Sequence, residues 1–387
     1  MKILMSDLMK VEHNVRVLQE AKSLKKAGYD VLIVGFSNTT KERNLTIEGI
    51  NVVSFYLNDS RKGIGKACRS LTAIIMILRV NLLILSYKAD IYHAHNFHVL
   101  AASYLSSLIH RGRLIYDTHE SWTIHRAKKF HPEHIFAFII EKFFLRNLLG
   151  FVTVNEMVAQ YYANLYGINR AVILYNSRPI VPLTRKNLIR EELRLKDETK
   201  IALFIGGFWP SGRPLLEIIE SGKYLSDNVA IVLIGYGSKS FVQKMIDTIK
   251  NNNLEKKVFI MPPKTPGEVM NYVMSADIGL NLIKREGRAQ DFQSPWKLFE
   301  YCMGGLAIVS TDLPFHKKVY TKHEIGLLCD TSNSPQSIAN SVNSLLVDEN
   351  KLSIYKKNSR SAAENEFNWE IQEKKLLNLY NNVRAEK

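Results

Sequence analysis

Ser294, Pro295, Lys297 and Glu300 stand at a spacing that suits an anionic ligand. Serine is a natural helix N-cap and proline a natural first helical residue, so a helix is expected to begin here with Lys297 and Glu300 in its first two turns. Free backbone N–H groups and the positive helix end stabilise a diphosphate, and Lys297 adds a full charge. Glu300 is placed to accept hydrogen bonds from sugar hydroxyls; its plainer alternative is a capping or surface carboxylate. Two glycine-bearing turns offer related chemistry. Gly206-Gly207-Phe-Trp-Pro-Ser-Gly-Arg213 follows the apolar run 201–205, where glycines let the backbone approach a ligand and Arg213 can fork onto phosphate. Gly235-Tyr-Gly237-Ser238 follows the run 230–234 in the same way. Either turn alone is also what an ordinary strand–helix junction looks like.

Histidines supply the other candidate chemistry. His119, in Tyr116-Asp-Thr-His-Glu120, ends the apolar run 114–116, and an imidazole there can donate to a hydroxyl or a developing charge. His93, His95, His98 and Glu120 are candidates for contacts to an acceptor molecule. His93-Ala-His95 with His98 and His119 could in principle hold a metal, but an open zinc site needs three ligands converging on one point, and nothing in the spacing fixes that convergence. Cys68, Cys302 and Cys329 lie at unrelated spacings, giving neither a zinc cluster nor a disulfide framework, and a reducing cytosol is the expected setting.

These residues need elements to position them. The chain has 387 residues, 46% hydrophobic and 23% charged, enough for two domains with their own cores. Short β-branched runs alternate with helical patterns twice over, at 31–34, 91–92, 114–116, 152–154 and 172–174, and again at 201–205, 230–234, 258–260, 278–282 and 307–309. That order predicts α/β domains with doubly wound parallel sheets, whose ligands bind at the carboxyl ends of the strands. Arg178-Pro-Ile-Val-Pro182 with its polar tail reads as a connector. The expected domains are therefore residues 1–185 and 186–368, with 369–387 a final helix packing back toward the first. The opening segment Met1–Met5 is too short for a signal-peptide core and reads as a first strand.

The formal charge of +15 is unevenly distributed. Residues 1–190 hold 26 Lys+Arg against 13 Asp+Glu, and residues 191–387 hold 26 against 24. A basic half attracts phosphate on nucleic acid or on an anionic lipid surface. Nucleic acid is disfavoured, because aromatic residues do not interleave with the basic clusters and no reading element is recognisable. Arg61, Lys62, Lys66 and Arg69 lead into the apolar run 71–85, which Arg79 and Asn81 make a poor membrane span. The segment Arg126–Arg146 carries Phe136, Ile139, Ile140, Phe143 and Phe144 at helical intervals among Lys128, Lys129 and Lys142. It reads as a helix resting on a membrane surface or covering a sheet.

The stretch from Ser294 through Gly304-Gly305 to Ser310-Thr-Asp312 resembles the donor-site helix of the retaining glycosyltransferases of family 4, the glycosyl transferases group 1. Gly206-Gly207 with Arg213, Gly235-Tyr-Gly237, Ala276-Asp277, Gly326-Leu-Leu328 and Phe367-Asn-Trp369 agree in order, as do the first-half loops around His93-Ala-His95 and His119. The resemblance spans nearly the whole chain. It implies a GT-B fold, two Rossmann-like domains facing across a cleft. The first domain would hold the acceptor and the second a nucleotide-diphospho-sugar donor. Gly206, Gly207, Arg213, Gly235, Gly237, Ser294, Pro295, Lys297, Leu298 and Glu300 would contact the donor, with Glu300 on the ribose and His119 beside the transferred sugar. His119, Glu300, Arg213 and Lys297 would carry catalysis. Where the family often has a glutamate touching the donor sugar, this chain has Phe292 flanked by Asp291.

Cleaving a glycosyl diphosphate puts negative charge on the leaving phosphate, and stabilising it is most of the task. The sequence contains no Asp-x-Asp, so fixed cations and helix amides are expected to serve without a metal or other cofactor. The departing phosphate can take the acceptor proton, so a dedicated base is not required. The expectation is a retaining transferase acting on a glycan or lipid-linked glycan in bacterial surface polysaccharide synthesis. It would be cytoplasmic and peripherally attached to the inner face of the membrane. The alternatives are a sugar-nucleotide 2-epimerase of the same architecture and a non-catalytic sugar-nucleotide-binding protein.

Overall fold

The computed structural model describes residues 1–387 except 38–42, 57–65, 121–122, 124–131, 146–147 and 386–387. The described chain forms two compact units, the first from residues up to 175 and those from 372 on, the second from 176–371. The first unit's strands are β1 (Lys2–Lys10), β2 (Asp30–Ser37), β3 (Asn44–Ile47), β4 (Ile50–Tyr56), β5 (Ile91–His95), β6 (Arg113–Thr118), β7 (Gly150–Thr153) and β8 (Ala171–Ile173). Its helices are α1 (Val15–Lys26), α2 (Lys66–Ser86), α3 (Phe97–Ile109), α4 (Pro132–Phe144) and α5 (Glu156–Tyr166). The second unit has β9 (Lys200–Ile205), β10 (Val229–Ile234), β11 (Val258–Met261), β12 (Ile278–Asn281), β13 (Ala307–Thr311) and β14 (Gly326–Cys329). Around them run α6 (Leu188–Leu193), α7 (Leu215–Ser221), α8 (Lys239–Asn251), α9 (Val269–Val273), α10 (Trp296–Met303), α11 (Pro314–His323), α12 (Pro335–Val347), α13 (Glu349–Asn365) and α14 (Trp369–Ala385), the last passing into the first unit.

Strand order is β3-β4-β2-β1-β5-β6-β7-β8 in the first sheet and β11-β10-β9-β12-β13-β14 in the second. Every described pairing is parallel except β3–β4. Helices cover both faces, so β10 is buried along its whole length, which is why it reads as an unbroken apolar run. The order reverses between β1 and β5 in one sheet and between β9 and β12 in the other, and at such switch points the loops beyond the strand ends open a crevice. The antiparallel β3–β4 hairpin was not anticipated. Its turn residues Glu48 and Gly49 both have positive φ, 49° and 82°, the geometry a two-residue hairpin turn needs.

The break between units falls after Tyr175, ahead of the boundary expected from the prolines. Connector residues are bound into the second unit: Arg185 donates to the Ala276 carbonyl (3.0 Å) and pairs with Asp277, whose carboxylate also meets Arg190 at 2.6 Å and Lys356 of α13 at 3.0 Å. Burial alone would raise Asp277, but these cations outweigh it and hold the carboxyl well below its usual range.

The apolar run after residue 71 is a helix, α2, that leaves Ile74, Ile75, Leu78 and Leu82 exposed; no described helix is long and apolar enough to cross a membrane. Arg61, Lys62, Arg126, Lys128, Lys129 and Arg146 lie outside the described residues, as do the side chains of Lys66 and Arg69. On α4, Ile135, Phe136, Ile139 and Phe143 are exposed beside Lys142, while Ile140 and Phe144 turn partly inward. The opposite face of α4 is pinned by Glu141, whose buried carboxylate accepts from Tyr116 (2.7 Å), Tyr162 (2.5 Å) and Tyr166 (3.0 Å). Burial, opposed by those hydroxyls, pushes the Glu141 carboxyl up to about 7.

Candidate active site

In the second unit the site grows from the loop after β9. Gly206 has φ of +141°, a conformation that L side chains rarely adopt, and the space a Cβ would take there faces Arg213 Nη1 at 3.8 Å and Lys297 Nζ at 3.9 Å. The loop is fixed at both ends. Gly206 N–H donates to the Ile234 carbonyl (2.9 Å), Gly212 N–H to Glu286 (3.0 Å), and Lys284 N–H to the Gly212 carbonyl (3.1 Å). A Cβ on Gly235 would lie 1.9 Å from the Gly206 carbonyl, and one on Gly237 2.6 Å from the Phe208 carbonyl. These two glycines let the loops run side by side, a packing role distinct from the direct ligand approach expected of them. Gly207 is likewise shut against the Trp209 ring, 2.4 Å from the Cβ it lacks.

Lys297 comes from α10, whose start differs from the expected one. Pro295 is the N-cap, in extended conformation, and the helix begins at Trp296. The Ser294 hydroxyl caps nothing; it is a buried oxygen without a hydrogen-bond partner. The Leu298 side chain is fully buried and its N–H is taken by the Pro295 carbonyl at 3.1 Å, so neither faces a donor. The helix is clamped to β9 by Tyr301, which donates to the Leu203 carbonyl and accepts from Ile205 N–H, both at 3.1 Å. Close approach there requires Gly279, where a Cβ would come within 2.4 Å of the Tyr301 ring.

The electrostatics of this corner are unusual. Lys297 is 7% exposed and lies 3.8 Å above the centre of the Phe204 ring, yet neither it nor Arg213 has an acidic partner among the described residues. Burial, then the nearby Arg213, hold the lysine well below its usual range, with Glu300 opposing. Burial lowers Arg213 as well, which still leaves a guanidinium charged. Two cations pressed together without an anion are costly unless an anionic ligand completes them. Glu300, 8% exposed, pairs with Arg178 at 2.5 Å, a partner not expected from the sequence. Asp291, beside Phe292, is held by Arg285 through two bonds of 2.8 and 2.9 Å.

In the first unit His119 directly follows β6, the strand next to the switch-point strand β5, and is 15% exposed, its Nε2 3.1 Å from His95 Nδ1 and 3.6 Å from the Asp117 carboxylate. Its N–H donates to Asn96 Oδ1 (3.3 Å), and Asn96 is itself strained, with φ of +67°. His93 and His95 are fully buried, so the acceptor contacts expected of them are not available to their side chains as placed. His93 instead shares a 2.8 Å hydrogen bond with Tyr380 of α14 and stacks on His95 at 4.3 Å. His98 Nε2 lies 3.6 Å from Glu133 and remains partly accessible, and Glu120 is exposed.

Beneath these rings sits a buried ion pair that the sequence reading missed. Arg16 donates to Asp117 from Nε and Nη2 at 3.1 and 3.0 Å, and to the Leu174 carbonyl at 2.8 Å. Burial alone would raise Asp117, but Arg16 and His119 outweigh it and hold it well below its ordinary value. Burial, with Asp117 adding repulsion, pushes Glu20 well up, while burial lowers His93 and His95. Glu20, His93, His95 and Asp117 each offer a ligand atom within 4.8 Å of the others. Arg16, 3.1 Å from Glu20 and 3.0 Å from Asp117, already supplies the cation such a cluster needs. The signal was present in the sequence as an Arg16–Glu20 pair four apart on a helix whose buried face is otherwise uncharged.

Comparison with known proteins places both units. Residues 13–178 match the family described as glycosyltransferase family 4, and residues 185–362 match glycosyl transferases group 1. No curated protein matches by sequence. Among solved structures, a sucrose-phosphate synthase from Thermosynechococcus elongatus superposes with a TM-score of 0.75 at 13% identity, covering 100% of both chains. A Rickettsia africae glycosyltransferase gives 0.74 at 16% identity over 100% of this chain and 99% of its own. Anabaena HepE in complex with UDP and glucose gives 0.71 at 15%, over 98% and 99%. Likeness at such identities shows the fold, which is GT-B.

Proposed function

This chain belongs to glycosyltransferase family 4 and is a glycosyltransferase, and from that premise we propose that it moves a sugar from a nucleotide-diphospho-sugar to a hydroxyl with retention of configuration and without a metal. The observation that carries the donor class is the pair of unpartnered cations, Arg213 and Lys297, over the open face of Gly206. A diphosphate brings to that spot the negative charge the protein omits, and its charge grows further as the glycosidic bond breaks, so the cations hold the transition state more tightly than the ground state. The departing phosphate takes the acceptor proton, so this route requires no dedicated protein base. Glu300 takes the ribose and His119 the transferred sugar. The UDP held by the Anabaena protein agrees with a nucleotide donor.

The acceptor in this reading is a glycan or lipid-linked glycan of bacterial surface polysaccharide, met at the inner face of the cytoplasmic membrane. Supporting it are the basic first half and the exposed Ile135, Phe136, Ile139 and Phe143 beside Lys142 on α4. A melting screen of nucleotide sugars tests the donor: a ligand at about a hundred times its Kd adds about 2.7 kcal/mol. Product analysis then separates the alternatives. Transfer to an acceptor, or slow release of free sugar with the anomer retained, supports the proposal; a free epimerised sugar nucleotide, or binding without turnover, contradicts it.

A further inference from the structure

Lys297 and Glu300 are three residues apart on α10, the spacing at which opposite charges ordinarily pair across a helix turn. They do not pair here. The Glu300 carboxylate accepts from Nε of Arg178 at 2.5 Å, its one side-chain hydrogen bond among the described residues, and Lys297 lies against the Phe204 ring and near Arg213, with Glu300 acting on it through space without a bond. Arg178 reaches Glu300 from 122 positions earlier in the chain, and its own segment is tied down on either side of it. Asn176 Nδ2 donates to the Ser294 carbonyl ahead of α10 (3.0 Å), and the Arg178 carbonyl accepts from Trp369 N–H (2.9 Å). The pair is largely removed from water, with the Arg178 side chain 21% and the Glu300 side chain 9% exposed, so the attraction between them is weakly screened.

We propose that Arg178 is a positioning residue that diverts Glu300 away from Lys297. The diversion leaves the two phosphate-facing cations uncompensated, and it fixes the carboxylate through Oε1 so that Oε2 is free to accept from the ribose hydroxyls. The inference rests on the donor reading above and adds to it a determinant of ribose selectivity outside α10 and the Gly206 loop. Without Arg178, Glu300 turns to its helix neighbour, neutralises Lys297, and both the diphosphate and the ribose lose their partner.

Calorimetric titration of the full-length protein with UDP, ADP and GDP, with the 2′,3′-dideoxy analogue of the best binder, and with inorganic pyrophosphate tests this. The wild type is expected to prefer the ribonucleotide over its dideoxy analogue by about tenfold or more. Arg178→Gln is expected to lose that preference and to weaken pyrophosphate binding about tenfold. The double variant Arg178→Gln/Glu300→Gln is expected to regain wild-type pyrophosphate affinity, since nothing is left to quench Lys297, while staying blind to the ribose. Arg178→Lys, which keeps a cation at the end of a flexible stem, retains part of the preference and serves if the glutamine variant does not fold. A wild type that binds none of these compounds overturns the donor reading itself. A wild type that discriminates, with Arg178→Gln and Arg178→Lys unchanged, overturns the role given to Arg178. Loss of pyrophosphate binding that Glu300→Gln does not restore marks Arg178 as a brace of the fold and likewise overturns it.

Discussion

A buried lysine without an acidic partner weakens the fold that contains it, and Lys297→Met measures by how much. The unfolded chain keeps its lysine proton up to the ordinary value near 10.5, whereas the folded chain gives it up earlier. Between those values the unfolded state binds more protons, so wild-type stability rises with pH across that window, and below it the cost is present in full. Replacing the side chain by an apolar one of similar length is expected to raise the unliganded melting temperature at pH 7, by roughly 1–3 kcal/mol of stability, and to abolish the ligand-induced shift. A diphosphate beside the lysine favours its charged form and moves it back toward its ordinary value, so wild-type binding takes up protons and weakens as pH rises through the window between the free and bound states; titrations in buffers of different ionisation heat read this directly. A variant that is less stable than the wild type shows the lysine to be satisfied by something other than a ligand.

At the scale of elements, α4 is held by Glu141 under three tyrosines, and this attachment titrates near neutrality. The carboxyl sits at about 7 when folded against 4.5 when free, so it stabilises the first unit fully below about 4.5 and the contribution is lost as pH rises through 7. The loss is at most about 3 kcal/mol. Glu141→Gln keeps an acceptor for the tyrosines but cannot ionise, so its melting temperature is expected to change less between pH 5 and pH 8 than that of the wild type; parallel profiles for the two proteins contradict the assignment. Elements were largely legible in the sequence because buried parallel strands are mostly apolar and the helices between them keep a 3.6-residue period. What was not legible follows from the same logic. The start of α10 lies one residue later than Ser294-Pro295 predicts because Pro295 stays extended and the buried Ser294 hydroxyl caps nothing, and the β3–β4 hairpin hid behind a turn whose only signal is Glu48-Gly49.

For the whole molecule, the site residues that were legible are those announced by local constraints, Gly206 by its turn and Lys297 with Glu300 by their helix. Those missed are bound to partners far along the chain: Arg16 to Asp117 across 101 positions, Arg178 to Glu300 across 122, His93 to Tyr380 across 287. No spacing rule carries such pairs, because only the folded sheets bring them together. The same scale decides the membrane reading. The basic first half and the apolar face of α4 predict binding to anionic vesicles that weakens as salt shortens the screening length from about 8 Å at 0.15 M to about 3 Å at 1 M. The double variant Phe136→Ser/Phe143→Ser is expected to bind less at every salt concentration. Sedimentation with vesicles of graded anionic content reads both effects, and binding indifferent to lipid charge and salt contradicts them.

The central claim is that fixed cations of the second unit hold a diphosphate with no divalent ion assisting. Calorimetric titration of the wild type and an Arg213→Ala/Lys297→Met variant with the nucleotide sugar selected by the melting screen, each with excess EDTA and with added magnesium, tests it most directly. The account predicts wild-type affinity unchanged by EDTA and lost in the variant. Affinity that vanishes on chelation, or that survives removal of both cations, contradicts it.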